Sequence, residues 1–142
     1  METSGSTGKT LVTGVIGEDV HIVGIRILEH AIRSAGFTIV SLGIHNTQEE
    51  FIRAALETRA DGILISSLSG HAELLLPGFR EKCLESGLKN ILLYLGGHLR
   101  IGQASWEEVE ERFKTMGFDR VYSPDTLPER VISDLKADLV VN

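Results

Sequence analysis

A chain of 142 residues has the length of one domain and can bury a core without disulfide or metal staples. Twenty acidic residues against fourteen basic give a net charge of -6 with no Lys/Arg block, which excludes the counterion-releasing grip of a nucleic-acid binder. The single cysteine, Cys83, excludes an internal disulfide, and no apolar run approaches the ~18 residues of a membrane span. The expectation is a protein of the reducing cytoplasm with neither nucleic acid nor membrane among its partners.

Residues 1–9 read as a flexible Ser/Gly tail, and residues 10–142 as the domain. The tail contains "GSTGKT", which imitates a phosphate loop. That pattern needs a glycine five positions before Gly8, where Thr3 stands, and a strand in front of it, which this tail does not supply.

From Thr10 onward an apolar run, a polar or glycine break and a helical period recur about five times. The runs at 11–16, 38–42, 62–66, 90–95 and 120–122 are short and several are almost continuously apolar, as strands buried on both faces should be. Between them, helical spacing links Ile25, Leu28, Ala31, Ile32 and Ala35, then Phe51, Ala54, Ala55 and Thr58, then Trp106, Val109, Phe113 and Met116. Gly36, Gly87 and Gly117 stand where helices should end on a left-handed residue. Asn46-Thr47 followed by Glu50 reads as a capping box. A last helix begins at Pro128 and carries Val131, Ile132, Leu135 and Leu139 on one side.

This alternation predicts an α/β fold: a doubly wound parallel sheet of five strands in the order 2-1-3-4-5. Such sheets bind ligands outside the carboxyl ends of their strands, near the switch point between strands one and three. The loop after strand one is Gly17-Glu18-Asp19-Val20-His21-Ile22-Val23-Gly24. A metal-ligating histidine commonly gives its second ring nitrogen to a carboxylate, and Asp19 stands two residues before His21. The other histidines, His30, His45, His71 and His98, show no ligand spacing, so His21 reads as one ligand to a metal that brings its others. After strand three come Ser66, Ser67, Leu68, Ser69 and Gly70, and after strand four Gly96, Gly97 and His98. These small residues make room for a flat or extended ligand and offer hydroxyls to it. The turn Ser123-Pro124-Asp125-Thr126 would close the rim of the slot.

Asp19-x-His21-x-x-Gly24, then Ser66-x-Leu68, then Gly96-Gly97, resembles the three-part signature of cobalamin-binding domains of the base-off, histidine-on type, which are flavodoxin-like, Rossmann-like domains. Among these the chain is most similar to the small subunits of glutamate (methylaspartate) mutases. The likeness runs over residues 10–139 and includes "AGF" at 35–37, "LLYLGG" at 92–97 and "FKTMGFDRVY" at 113–122. The resemblance implies that His21 replaces the cofactor's own base as the lower axial cobalt ligand, with Asp19 holding its other nitrogen. Glu18, Val20 and Ile22 would flank the ligand in the same cofactor-binding loop. Gly24 would let the next helix approach the nucleotide tail. Ser66 would hydrogen-bond the displaced base, with Ser67 and Leu68 beside it. Gly96 and Gly97 would border the tail, with His98, Leu99 and Arg100 along the same side.

The family further implies adenosylcobalamin as cofactor and a large, TIM-barrel partner subunit in a heterotetramer-like assembly. Its chemistry is the radical interconversion of glutamate and 3-methylaspartate. Ser69-Gly70-His71-Ala72 and Asp125 depart from the family's pattern, which leaves substrate identity and partner geometry open. A corrinoid carrier for methyl transfer, or a cobalamin subunit for another substrate, would share the motif. A phosphoacceptor domain would share the topology but needs an aspartate after strand three and a lysine after strand five, where Ser66 and Ser123 follow instead. A flavin carrier would place its phosphate beside Glu18 and Asp19, which would repel it. Glu107, Glu108, Glu110 and Glu111 read as the wet face of a helix, and Cys83 as a small core residue.

Overall fold

The computed structural model describes residues 6–17, 23–67, 72–99 and 102–140. The elements alternate as expected: β1 Thr10–Val15, α1 Val23–Ser34, β2 Thr38–Ser41, α2 Gln48–Thr58, β3 Gly62–Ser67, α3 Ala72–Leu75, α4 Phe79–Glu85, β4 Leu92–Gly97, α5 Trp106–Thr115, β5 Arg120–Tyr122 and α6 Pro128–Asp138. All strand pairs are parallel, and the sheet order is β2-β1-β3-β4-β5. Two boundaries differ from the sequence reading in a way that matters. Ser66-Ser67 and Gly96-Gly97 are the last rungs of β3 and β4, paired Ser66 with Gly96 and Ser67 with Gly97, and not loop residues beyond them.

Successive side chains of a strand point to opposite faces, and the core splits accordingly. Val12, Ile63, Ile65, Leu93, Leu95 and Val121 face one layer, where they meet Phe51 of α2, Phe79 and Cys83 of α4, and Val109 and Phe113 of α5. Leu11, Leu64 and Tyr94 face the other, where they meet Ile32 of α1 and Val131 and Leu135 of α6. Cys83 is fully buried and unpaired.

Local chemistry explains the ends of the elements. Thr47 accepts from Glu50 N while the Glu50 side chain accepts from Thr47 N, closing the expected capping box on α2. Ser105 and Glu108 do the same for α5. Gly36, Gly87 and Gly117 have φ of 101°, 99° and 115°, the left-handed values that end a helix. The helical pattern before Gly87 is broken in two by Pro77 and Gly78, which separate α3 from α4. From Thr7 onward the N-terminal segment is tied down, because Thr7 N and Oγ1 both donate to Gly36 O and Thr38 N donates to Lys9 O. Among the described residues no helix is long and apolar enough to cross a membrane.

Candidate functional site

One rung of the sheet carries the site. Parallel register sets Val15 beside Ser66, Ser66 beside Gly96, and Gly96 beside Tyr122, so these residues share a height and a face. A glycine between a serine and a tyrosine leaves a gap in the surface of the sheet. Helices α1 and α6 rise on either side of it, and the result is a cavity of about 550 Å³ within the size range of small-molecule sites. Leu64 and Tyr94, two residues earlier on their strands, form its floor. Ile25 and Leu28 of α1 supply one wall, Val131 of α6 the other, and Pro124 and Thr126 lie at the rim.

The cavity therefore brings together Gly24, Ser66, Gly96, Gly97 and His98 from the expected set. Ser67 is buried and follows the alternation onto the opposite face, and Leu99 packs in the α2–α4–α5 core, so neither lines the cavity. Glu18, Asp19, Val20, His21, Ile22, Leu68 and Arg100 lie outside the described residues. His30, His45 and His98 are exposed, and among the described residues no group of three His, Cys, Asp or Glu side chains is arranged to hold a metal ion.

Two glycines make space without structural necessity. A Cβ built on Gly24 would meet nothing within 4 Å, and one on Gly96 would make only ordinary contact with Tyr122 at 3.5 Å. Gly97 is different, since its φ of 111° excludes most side chains.

Several residues outside the expected binding set support the site. Asn46 is buried, donates through Nδ2 to Val15 O and Gly43 O, and accepts at its backbone carbonyl from Gly17 N, which pins the chain where it leaves β1. Tyr94 and Tyr122 meet edge to face at 5.4 Å. Their hydroxyls are engaged by α6, Tyr94 donating to Asp138 and Tyr122 to Asp134. Burial first, and these carboxylate partners second, push both phenols far above their ordinary value. Arg120 bridges Asp138 and Asp134, and its hydrogen bond holds the Asp138 carboxyl below the usual range. The tyrosines thus line the cavity and stay neutral. Both lie in the stretches "LLYLGG" and "FKTMGFDRVY", where only the strand alternation assigns their face.

A family profile described as "B12 binding domain" matches residues 9–132. The glutamate mutase sigma subunit of Clostridium cochlearium is 56% identical over 131 residues, covering 92% of this chain and 96% of that protein. The chain belongs to the glutamate mutase sigma subunits, within the B12-binding domain family. A solved structure of a cobalamin-binding protein from Desulfitobacterium hafniense matches this sigma-subunit fold with a TM-score of 0.74 at 17% identity, covering 93% of this chain. The chain spans 59% of the length of that protein. The signal receiver domain of the response regulator NarL from Mycobacterium tuberculosis matches at a TM-score of 0.58 and 10% identity, covering 92% of this chain and 98% of that one. These two likenesses show the fold alone. The sigma-subunit chain lacks the receiver's chemistry, because β3 ends in Ser66-Ser67 and Ser123 follows β5.

Proposed function

We propose that this chain binds adenosylcobalamin base-off and presents it to a large barrel subunit, as the small subunit of an isomerase that interconverts glutamate and 3-methylaspartate. The observation that carries the reading is the cavity, which joins the described parts of all three motif segments, Gly24, Ser66 and Gly96-Gly97, around one apolar slot. The donor set fits the nucleotide tail of a cobalamin. Aromatic and aliphatic side chains line the slot together with Ser66, and Gly24 and Gly96 leave open the space a Cβ would enter. The same rung includes Val15, which precedes Asp19 and His21 by four and six residues in the sequence.

In this assignment His21 would be the chain's ligand to the cobalt, and Asp19 would accept from its other ring nitrogen and fix the tautomer. When bound, the cofactor would supply the radical chemistry of its cobalt–carbon bond. The chain's own residues bind and orient: Ser66 holds the base, Leu64 and Tyr94 exclude water beneath it, and α1 and α6 flank it. Substrate contacts belong to the partner, whose barrel and heterotetramer-like assembly are part of the proposal, as is a cytoplasmic setting. Membership in the sigma subunits sets aside the methyl-transfer carrier.

The test is the electron paramagnetic resonance spectrum of cob(II)alamin bound to the chain, unlabelled and with nitrogen-15 histidine. The expected result is that the axial superhyperfine lines change from triplets to doublets, and that His21→Gly abolishes the change. Triplets that persist in the labelled protein, with cofactor retained through desalting, would overturn the assignment.

A further inference from the structure

The rung below the site carries a feature that the cofactor reading does not use. Register places Ser41 beside Thr13, Thr13 beside Leu64, Leu64 beside Tyr94, and Tyr94 beside Arg120, one row across the whole sheet. Leu64 and Tyr94 are the cavity floor. At one end of the row Glu29 of α1, only 4% exposed, accepts through one carboxylate oxygen from both Thr13 Oγ1 and Ser41 Oγ. At the other end Asp138 of α6 accepts from Tyr94 and from Arg120. Each helix that walls the cavity is therefore attached to the same row through carboxylates, α1 by Glu29 and α6 by Asp138 with Asp134 beside it on Arg120.

Glu29 is the more demanding of the two. Asp138 has a guanidinium beside it, whereas no cation among the described residues pairs with Glu29. A buried carboxylate held by hydroxyls adds little net stability, but removing it from those hydroxyls is costly, so it selects one arrangement over its neighbours. A slip of α1 by one residue would move it about 1.5 Å along its axis. That slip would take Glu29 off the Thr13–Ser41 pair and carry Gly24, Ile25 and Leu28 out of line with Ser66 and Gly96.

We propose that Glu29 is a positioning residue for the cofactor: its carboxylate reads the Thr13–Ser41 rung and so sets the axial register of α1, the wall of the tail cavity. This inference rests on the cavity being the seat of the cobalamin tail. Its test separates the two ideas. Binding of cobalamin and of cobinamide, a corrinoid without the nucleotide tail, is measured by equilibrium dialysis for the wild-type chain, Glu29→Leu, Glu29→Gln and Ser41→Ala.

Glu29→Leu is expected to weaken cobalamin binding ~10-fold or more, Ser41→Ala about 3-fold, and neither to change cobinamide binding. Glu29→Gln keeps an oxygen that accepts from both hydroxyls and is expected to stay within about 3-fold of wild type. Unchanged cobalamin binding in Glu29→Leu, or an equal loss for both corrinoids, would overturn the proposal. So would a Glu29→Gln as weak as Glu29→Leu. Methyl resonances of Ile25 and Leu28 in the free Ser41→Ala chain give a reading that needs no cofactor, with shifts expected there and their absence counting against the clamp. A wild-type chain that holds cobalamin no better than cobinamide would refute the cavity reading itself, while the methyl shifts still judge Glu29.

Discussion

Gly24 offers a perturbation in which stability and binding should move in opposite directions. It is the second residue of α1, and a Cβ there meets nothing within 4 Å. Alanine in place of glycine stabilises a helix interior by ~1 kcal/mol, and about half of that is reasonable in the first turn, so Gly24→Ala should raise Tm by about 1–2 °C. Gly24→Leu pushes about four carbons into the 550 Å³ cavity. A ligand group displaced from ~80 Å² of apolar contact at ~25 cal/mol per Å² loses about 2 kcal/mol, or about 30-fold in affinity. Circular dichroism melts and cobalamin titrations on the same preparations provide the two readings. A Gly24→Leu chain that folds at least as stably as wild type and still binds cobalamin undiminished would refute the placement of the ligand against α1. A Gly24→Ala chain that is clearly less stable would refute the open space.

Three further outcomes are expected. Asn46→Ala removes the side chain that bridges Val15 O and Gly43 O and should cost about 1–3 kcal/mol, read as a shift of the urea midpoint. The Asp138 carboxyl is held below its ordinary value of 3.8, so its contribution is present above that pH and lost as pH falls through the lower folded value. The Tm gap between wild type and Asp138→Asn should therefore narrow as pH falls below 3.8, and a constant gap would argue against the Arg120 pairing. Burial pushes the Cys83 thiol from 9.0 up to about 11, so a thiol-specific disulfide reagent near pH 8 should label it only as fast as the chain opens. Opposite in sign to Asp138, the stability from keeping this thiol neutral is full below pH 9.0 and lost as pH rises toward about 11.

The residue pattern by itself determined the architecture, because short apolar runs bounded by glycine and separated by amphipathic periods have few solutions other than a doubly wound parallel sheet. Strand order, the Thr47–Glu50 box and the left-handed Gly36, Gly87 and Gly117 were all legible, since each rests on local chemistry or on connection rules. The motif residues Gly24, Ser66 and Gly96-Gly97 were legible as small residues at strand or helix ends, though not that the serines and glycines belong to the strands. What only the tertiary structure decided is which of them face one another. A one-residue difference in position along β3 sends Ser66 into the cavity and Ser67 into the opposite core, and sequence spacing cannot assign the face without the register. The same register brings Thr13, Ser41 and Glu29 together from three elements, and Tyr94, Arg120 and Asp138 from three others. Those polar contacts join residues far apart in the chain, where no periodicity links them, and they exist only because the sheet aligns its rungs.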